Sequence, residues 1–221
     1  MTRPRIAVIY YSSTGTVHAL AEALAEGARE DGAEVRLRRA AELAPASVVD
    51  RHHAWREHLA ATESIHEARA EDLVWADGFA LGTPTRFGTP ASQLKQFIDT
   101  LGPQWRASEL SNKPATTFTS SDEVHGGQEP TLLALCNVLH QWGSVIIPPG
   151  YVDYDILHAA GGNPYGVSHV AGEGPPTEPV LRAARFQGAR LAAIALLLRP
   201  LREPRRRHHD LARTDSHAHA T

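Results

Sequence analysis

Three short stretches carry the residue types needed to hold a flat, phosphorylated ligand. The first is Ser12-Ser13-Thr14-Gly15-Thr16-Val17, which joins four hydroxyl side chains to one glycine. Backbone N–H groups at the start of a helix, supplemented by hydroxyls, suit a phosphate because that end of the helix carries partial positive charge. The stretch holds no Lys or Arg. It also lacks both the Gly-Lys-Ser/Thr ending of a nucleoside-triphosphate loop and the G-x-G-x-x-G dinucleotide fingerprint. The same residues equally suit an ordinary capped turn, since Ser and Thr are common at helix starts.

The second stretch is Thr83-Pro84-Thr85-Arg86-Phe87-Gly88-Thr89. Pro84 stiffens it, Arg86 and Phe87 offer a planar cation and an aromatic ring, and Gly88 lets the backbone approach a flat ligand. The third runs from Ser120 and Ser121 through Asp122, His125, Gly126 and Gly127 to Gln128. Its glycine pair again suits close approach, and His125 is a candidate donor to a ligand oxygen. Metal chemistry is not indicated. The chain has 13 histidines, but His52-His53 and His208-His209 lack Cys or acidic companions at ligand spacing. Cys136, the single cysteine, lies in the apolar run Leu132–Leu139 and reads as a small core residue rather than a nucleophile.

These stretches need rigid elements to position them. Ile6–Tyr11 is a short β-branched and aromatic run, as expected of a buried parallel strand, and Val17–Ala28 follows with helical periodicity through Leu20, Ala21 and Leu24. Glu34–Arg38, Gly78–Gly82, Pro114–Thr119 and Ser144–Ile147 read as further strands. Glu71–Trp75, Ala91–Thr100, Pro130–Gln141 and Glu178–Leu198 read as helices. Strands alternating with helices predict an α/β protein with a parallel, doubly wound sheet. Five strands match the flavodoxin-like order 2-1-3-4-5, with helices on both faces and a ligand at the switch point. All three chemistry-bearing stretches then fall at the carboxyl ends of strands 1, 3 and 4.

Two segments fit this alternation poorly. Residues 43–69 are rich in Ala, His, Glu and Arg and read as a partly helical insertion. Residues 148–176 are rich in Gly and Pro and read as a long irregular loop, which in a compact domain is usually functional. One domain over residues 1–199 is expected, followed by an Arg- and His-rich tail, 200–221, which lacks apolar anchors and is expected to be disordered.

Composition excludes several classes. The 221 residues are 42% hydrophobic and 21% charged with a net charge of −3, which suggests neither a nucleic-acid partner nor a membrane surface. No run approaches the ~20 apolar residues of a membrane span. One cysteine leaves no intramolecular disulfide, so a reducing compartment is expected. Met1-Thr2-Arg3-Pro4-Arg5 runs directly into a strand pattern without room for a signal peptide, and the expectation is a cytoplasmic protein.

In order along the chain stand G-T-P-T-R-F-G (Gly82–Gly88), Gln93-Leu94-Lys95-Gln96-Phe97-Ile98-Asp99 and Trp105. Gly126-Gly127-Gln128-Glu129, Pro149-Gly150-Tyr151 and Gly161-Gly162-Asn163-Pro164-Tyr165-Gly166 follow. In these residues the chain, from about Arg5 to Leu198, resembles the WrbA-type NAD(P)H:quinone oxidoreductases. That resemblance implies FMN as cofactor, NADH or NADPH as donor, and two-electron, ping-pong reduction of quinones by hydride transfer through flavin N5. It implies a homo-oligomer, dimer or tetramer, in which a neighbouring subunit completes the site. Carried over by position, Ser12, Ser13, Thr14, Gly15, Thr16 and Val17 would hold the FMN phosphate. Thr83, Pro84, Thr85, Arg86, Phe87 and Gly88 would flank the ribityl chain and the isoalloxazine ring. Ser120, Ser121, Asp122, His125, Gly126 and Gly127 would line the ring's other side. Trp105 would stack near the substrate.

Three positions depart from that family. Thr14 stands where an aromatic residue often sits in the first loop. The third loop reads Asp122-Glu123-Val124-His125 and is one residue longer than usual. The family's helix histidine, which reaches the flavin of a neighbouring subunit, aligns with Gln141, and His140 stands beside it. A flavodoxin-like one-electron carrier is the alternative, since its first loop is similar. The near-neutral charge and the long 148–176 segment argue against it.

Overall fold

In a computed structural model that describes residues 3–202, the first strand is paired on both edges. β1 (Arg5–Tyr10) lies parallel to β2 (Glu34–Arg39) on one side and to β3 (Gly78–Arg86) on the other. β3 pairs in parallel with β5 (Pro114–Ser121), and β5 with the short β6 (Val145–Ile146). Two further short strands complete the sheet. β4 (Thr89–Pro90) folds back on β3 as an antiparallel hairpin, and β7 (Ser168–Val170) runs parallel to β5.

The sheet thus has seven strands rather than five, with the path β2-β1-β3-β5-β6. The five strands expected from the sequence are the members of that path. The additions, β4 and β7, span two and three residues, too short for a periodicity to register. β6 pairs only with the start of β5, at Pro114 and Ala115, while β7 pairs with its end, at Thr119–Ser121. The 148–176 segment is therefore not irregular throughout. It forms α8 (Tyr154–Ala159) and returns along the sheet edge as β7.

Both faces are covered, which explains why β1 alternates without a polar face. Ile6, Val8 and Tyr10 enter one core, with α1 (Thr16–Glu30) and α9 (Glu178–Leu198). Ala7, Ile9 and Tyr11 enter the other, with α4 (Ala70–Trp75), α5 (Ser92–Asp99) and α7 (Gln128–Trp142). α7 begins two residues before the expected Pro130, because a proline in the first turn lacks only an N–H that would have no helical partner. Insertion 43–69 holds α2 (Ala46–Val49) and α3 (His53–Ala61), and its end rejoins β2 where the Ala68 N–H donates to Arg39 O at 2.8 Å. α6 (Gly102–Arg106) follows α5. Beyond a 3-10 turn over Arg199–Arg202, the tail expected to be without structure lies outside the described residues. Among the described residues no helix is long and apolar enough to cross a membrane.

Helices α1 and α9 approach so closely that glycine is required on each. A Cβ at Gly188 would lie 1.9 Å from Leu24 O, and one at Gly27 would lie 1.9 Å from Arg185 O. Both obstacles are backbone carbonyls, so no rotamer change relieves them, and the helices must separate. Gly188→Leu should therefore lower stability by roughly 1–3 kcal/mol or more. Leu197→Ser, on the exposed side of the same helix, should stay within about 0.5 kcal/mol. Denaturant midpoints of the two variants check this contrast.

Candidate functional site

β1 ends at the switch point, where its neighbours β2 and β3 lie on opposite sides, and the loop that follows opens into a cleft. Gly15, at φ +101°, caps α1, and its N–H donates to Ser12 Oγ at 3.0 Å. No side chain caps this helix start. The first turn of a helix leaves N–H groups without intrahelical partners, and here they follow directly on the hydroxyls of Ser12, Ser13, Thr14 and Thr16. Val17 is buried beneath them.

The second loop is built by the β3–β4 hairpin. Buried Thr83 receives the Ala91 N–H on its hydroxyl at 2.9 Å. Thr85 Oγ1 accepts from the Thr131 hydroxyl at 2.7 Å and from the Gly88 N–H at 3.2 Å, which ties the hairpin to α7. At the tip, Phe87 and Gly88 both have positive φ, +53° and +76°, the geometry of a tight primed turn. A left-handed phenylalanine is uncommon, and this one is fully exposed. Arg86 Nη2 reaches Ser13 Oγ at 3.3 Å and so joins this loop to the first.

The third loop leaves β5 at buried Ser120 and Ser121. Ser121 Oγ donates to Glu123 O at 2.7 Å and accepts from Gln128 Nε2 at 2.8 Å. Gly127, at φ +99°, lets the chain pass close to Gly88, 2.9 Å from where a Cβ would stand. Gly172 N–H donates to Asp122 O at 3.1 Å and brings the end of β7 against the loop.

The three loops converge on one cleft of about 730 Å³, within the size range of cofactor sites. It is lined by Ser13, Thr14, Pro84, Thr85, Arg86, Phe87, Ser120, Asp122, Glu123 and Gly126 among others. A second hollow of about 520 Å³ shares Thr14, Asp122 and Glu123 and adds Gly15 and Thr16. A phosphate would find uncapped N–H groups and hydroxyls, and a flat ring would find glycine-flanked walls, so these residues fit FMN. Of the expected residues, Ser12, Val17, Thr83, Gly88, Ser121 and Gly127 belong to the three loops without lining either hollow, and three others stand apart from the cleft. His125 projects from the exposed part of the third loop. Trp105 and Gln141 meet each other, Trp105 Nε1 donating to Gln141 O at 2.9 Å. They do so near the far end of α7, some 20 Å along the helix from the cleft.

One wall was missed. His52, His53, Ala54 and Trp55, at the start of α3, line the cleft together with Ala171. The insertion's alternating polar and small residues carry no signal of this, because a tertiary contact turns α3 inward. That contact is Glu42. Its carboxylate accepts from Tyr11 Oη at 2.8 Å, Trp55 Nε1 at 2.9 Å and Gln93 Nε2 at 2.8 Å, as well as from the Leu43 and Ala44 N–H groups. Burial alone would raise the carboxyl's pKa. The hydrogen bonds from Ala44, Gln93, Tyr11 and Trp55 outweigh burial and hold it below its ordinary value. The Tyr11 hydroxyl is correspondingly pushed up by burial and by this bond. α3 also places His58 beside His18, their ring centroids 5.3 Å apart. Cys136, expected in the core, is only half-buried on α7 and belongs to neither core, and burial raises its thiol pKa, which disfavours the reactive thiolate.

Glu42→Ala would leave three side-chain donors without their acceptor, at a cost of roughly 1–3 kcal/mol, and should speed proteolysis within 43–69. A group held below its ordinary 4.5 stabilises the fold above that pH, and this contribution is lost as pH falls through the folded value. The variant's stability profile should therefore be flatter in acid. Denaturation series across pH and limited proteolysis read both effects, and unchanged cleavage would count against the anchoring role.

Comparison with known proteins places this geometry. The model of the NADPH-dependent FMN reductase family matches residues 4–156. An NAD(P)H dehydrogenase (quinone) of Deinococcus radiodurans is 44% identical over 188 residues, covering 85% of this chain and 94% of that protein. One from Archaeoglobus fulgidus is 39% identical over 193 residues, covering 86% and 97%. Among solved structures, a flavodoxin, WrbA-like protein from Agrobacterium tumefaciens aligns over 88% of this chain and 98% of its own, with TM-score 0.63 and 25% identity. Two-electron reduced Megasphaera elsdenii flavodoxin aligns over 83% and 98%, with TM-score 0.52 and 18% identity, a likeness of fold. With its first 156 residues covered almost throughout by that model, and with relatives at about 40% identity over most of their length, the chain belongs to the NADPH-dependent FMN reductase family.

Proposed function

We propose that the protein is an FMN-dependent NAD(P)H:quinone oxidoreductase. The observation that carries this reading is the convergence of three loops, from the ends of β1, β3 and β5, on one cleft of cofactor size. The family membership and the names of its relatives support the same activity. FMN supplies the two-electron redox chemistry when bound, so no side chain need act as a covalent nucleophile.

The chain's own residues bind and orient. The N–H groups and hydroxyls of Ser12–Val17 hold the phosphate. Thr85, Arg86 and Phe87 flank the ribityl chain and one side of the ring. Ser120, Ser121, Asp122, Gly126 and Gly127 approach its other side. Asp122 and Glu123 bring two carboxylates to the cleft, which disfavours added negative charge there and lowers the potential of a reduced, anionic flavin. Trp55, anchored by Glu42, offers an aromatic wall suited to a planar quinone.

Trp105 is half-exposed, and Gln141 and His140 lie on the same surface. The resemblance implies a homo-oligomer, dimer or tetramer, in which Trp105 and Gln141 would act at a neighbouring subunit's cleft rather than within one chain. His125 remains a candidate hydrogen-bond partner for substrate from the exposed loop. A cytoplasmic, reducing location is consistent with the single cysteine.

Purified, FMN-loaded protein should oxidise NADH or NADPH with a benzoquinone, giving parallel double-reciprocal plots. Absence of turnover with both nucleotides overturns the enzymatic reading. Gly15→Val forces a branched residue into the left-handed region, a strain of roughly 1–2 kcal/mol, at the loop proposed for the phosphate. FMN affinity should fall about tenfold or more in this variant, as read by flavin fluorescence quenching.

A further inference from the structure

Two histidines that belong to no motif meet behind the phosphate loop. His58, on α3, lies against Gly15, where a Cβ would stand 3.5 Å from His58 Nδ1. His18, on α1, sits beside it with ring centroids 5.3 Å apart. His18 Nδ1 is 2.7 Å from Tyr10 Oη, and its Nε2 is 3.4 Å from Glu22. The loop itself contributes no cationic side chain. We infer that His58 and His18 form a second layer of the phosphate site, in which the pair takes up one proton from solvent when the dianionic phosphate of FMN docks. This rests on the reading of Ser12–Val17 as the phosphate loop.

The surrounding charges make the pair responsive. On the β1 side, Tyr10 and Tyr11 are phenols that burial pushes up, so both stay neutral. From β2 and the segment after it come Arg39, paired with Glu67 at 3.2 Å, and Glu42, already engaged by Tyr11, Trp55 and Gln93. α1 adds Glu22, which favours a charged His18. α3 itself adds His53 and Glu57, exposed and paired with each other at 3.1 Å. Across the loop stand Arg86, on Ser13, and the carboxylates Asp122 and Glu123, which share the adjoining hollow with Thr14–Thr16.

Without a ligand the pair is neutral. Burial and then the neighbouring His18 ring hold His58 at about 4, and burial lowers His18 against the pull of Glu22. A dianion one backbone layer away reverses that balance, because an opposite charge at short range favours the imidazolium form. Two imidazoles this close repel when both are charged, so the pair takes one proton rather than two. The sign follows from linkage. The complex binds more protons than the free protein, so FMN affinity rises as pH falls wherever the ligand remains a dianion. A phosphomonoester's second ionisation lies near pH 6, so the window is the range above it.

The test compares apoprotein affinity for FMN and for riboflavin, which lacks the phosphate, at about pH 6.5 and about pH 8. Calorimetry in two buffers of different ionisation enthalpy counts the protons. Wild-type protein should bind FMN roughly threefold to tenfold more tightly at the lower pH, with uptake of up to one proton, and riboflavin binding should not change. In His58→Gln both the pH dependence and the proton uptake should disappear, and His18→Gln should reduce them. A purely structural role for His58 would instead weaken both flavins equally at both pH values. That result, or a His58→Gln variant that keeps the wild-type proton count, overturns the inference. Equal affinity of wild-type protein for FMN and riboflavin would instead overturn the phosphate-loop reading beneath it. If His58→Gln does not fold, a wild-type proton count of zero is decisive against the pair.

Discussion

β1 is buried on both faces and paired on both edges, and the site exists because of where that strand ends. Its residues alternate between two cores, so its register cannot slip by one position without exchanging Tyr10 for Tyr11. With the register set, Tyr10 points toward His18 on one face and Tyr11 toward Glu42 on the other. The loop that follows must leave at the point where the sheet's connections diverge. No strand continues across the gap, and helix α1 starts there with its positive end toward the opening. Every other element of the cleft is placed relative to that exit.

Around it, polar bonds between loops do the local positioning. Thr85 links the β3–β4 hairpin to Thr131 of α7, Arg86 links it to Ser13, and Ser121 links its own loop to Gln128. These are short-range devices on top of a rigid sheet, a common way to hold binding residues on loops. Their cost is visible at Phe87, which is held left-handed and exposed at the cleft rim. Such strain persists only where the surroundings impose it, and here the two-residue hairpin does so.

Charge is distributed unusually for a site that must receive an anion. The first loop has no cationic side chain, the third carries Asp122 and Glu123, and the fixed cation at hand is Arg86. The phosphate reading therefore leans on backbone dipoles and hydroxyls, which need no counter-charge of their own. Insertion 43–69 changes this balance by bringing histidines and Trp55 to the cleft. Glu42 is the hinge of that arrangement, because a single carboxylate joins β1, α3 and α5 through Tyr11, Trp55 and Gln93.

By itself the sequence determined the parallel α/β architecture, the five principal strands, the loops at the ends of β1, β3 and β5, and the family. Those features are local or periodic: β-branched runs, helical stripes, glycines where φ is positive, and contiguous motifs such as Gly82–Gly88. Tertiary structure alone decided that α3 faces the cleft, that β7 restores the sheet edge beside Ser120, and that His58 reaches Gly15. It also carried Trp105 and Gln141 away from their own chain's cleft, since both lie near the end of α7 that points away from the loops. The physical reason is common to all four. Each depends on a contact between residues distant in sequence, such as Glu42 with Gln93 or Thr119 with Ser168, and no local pattern encodes such a pairing.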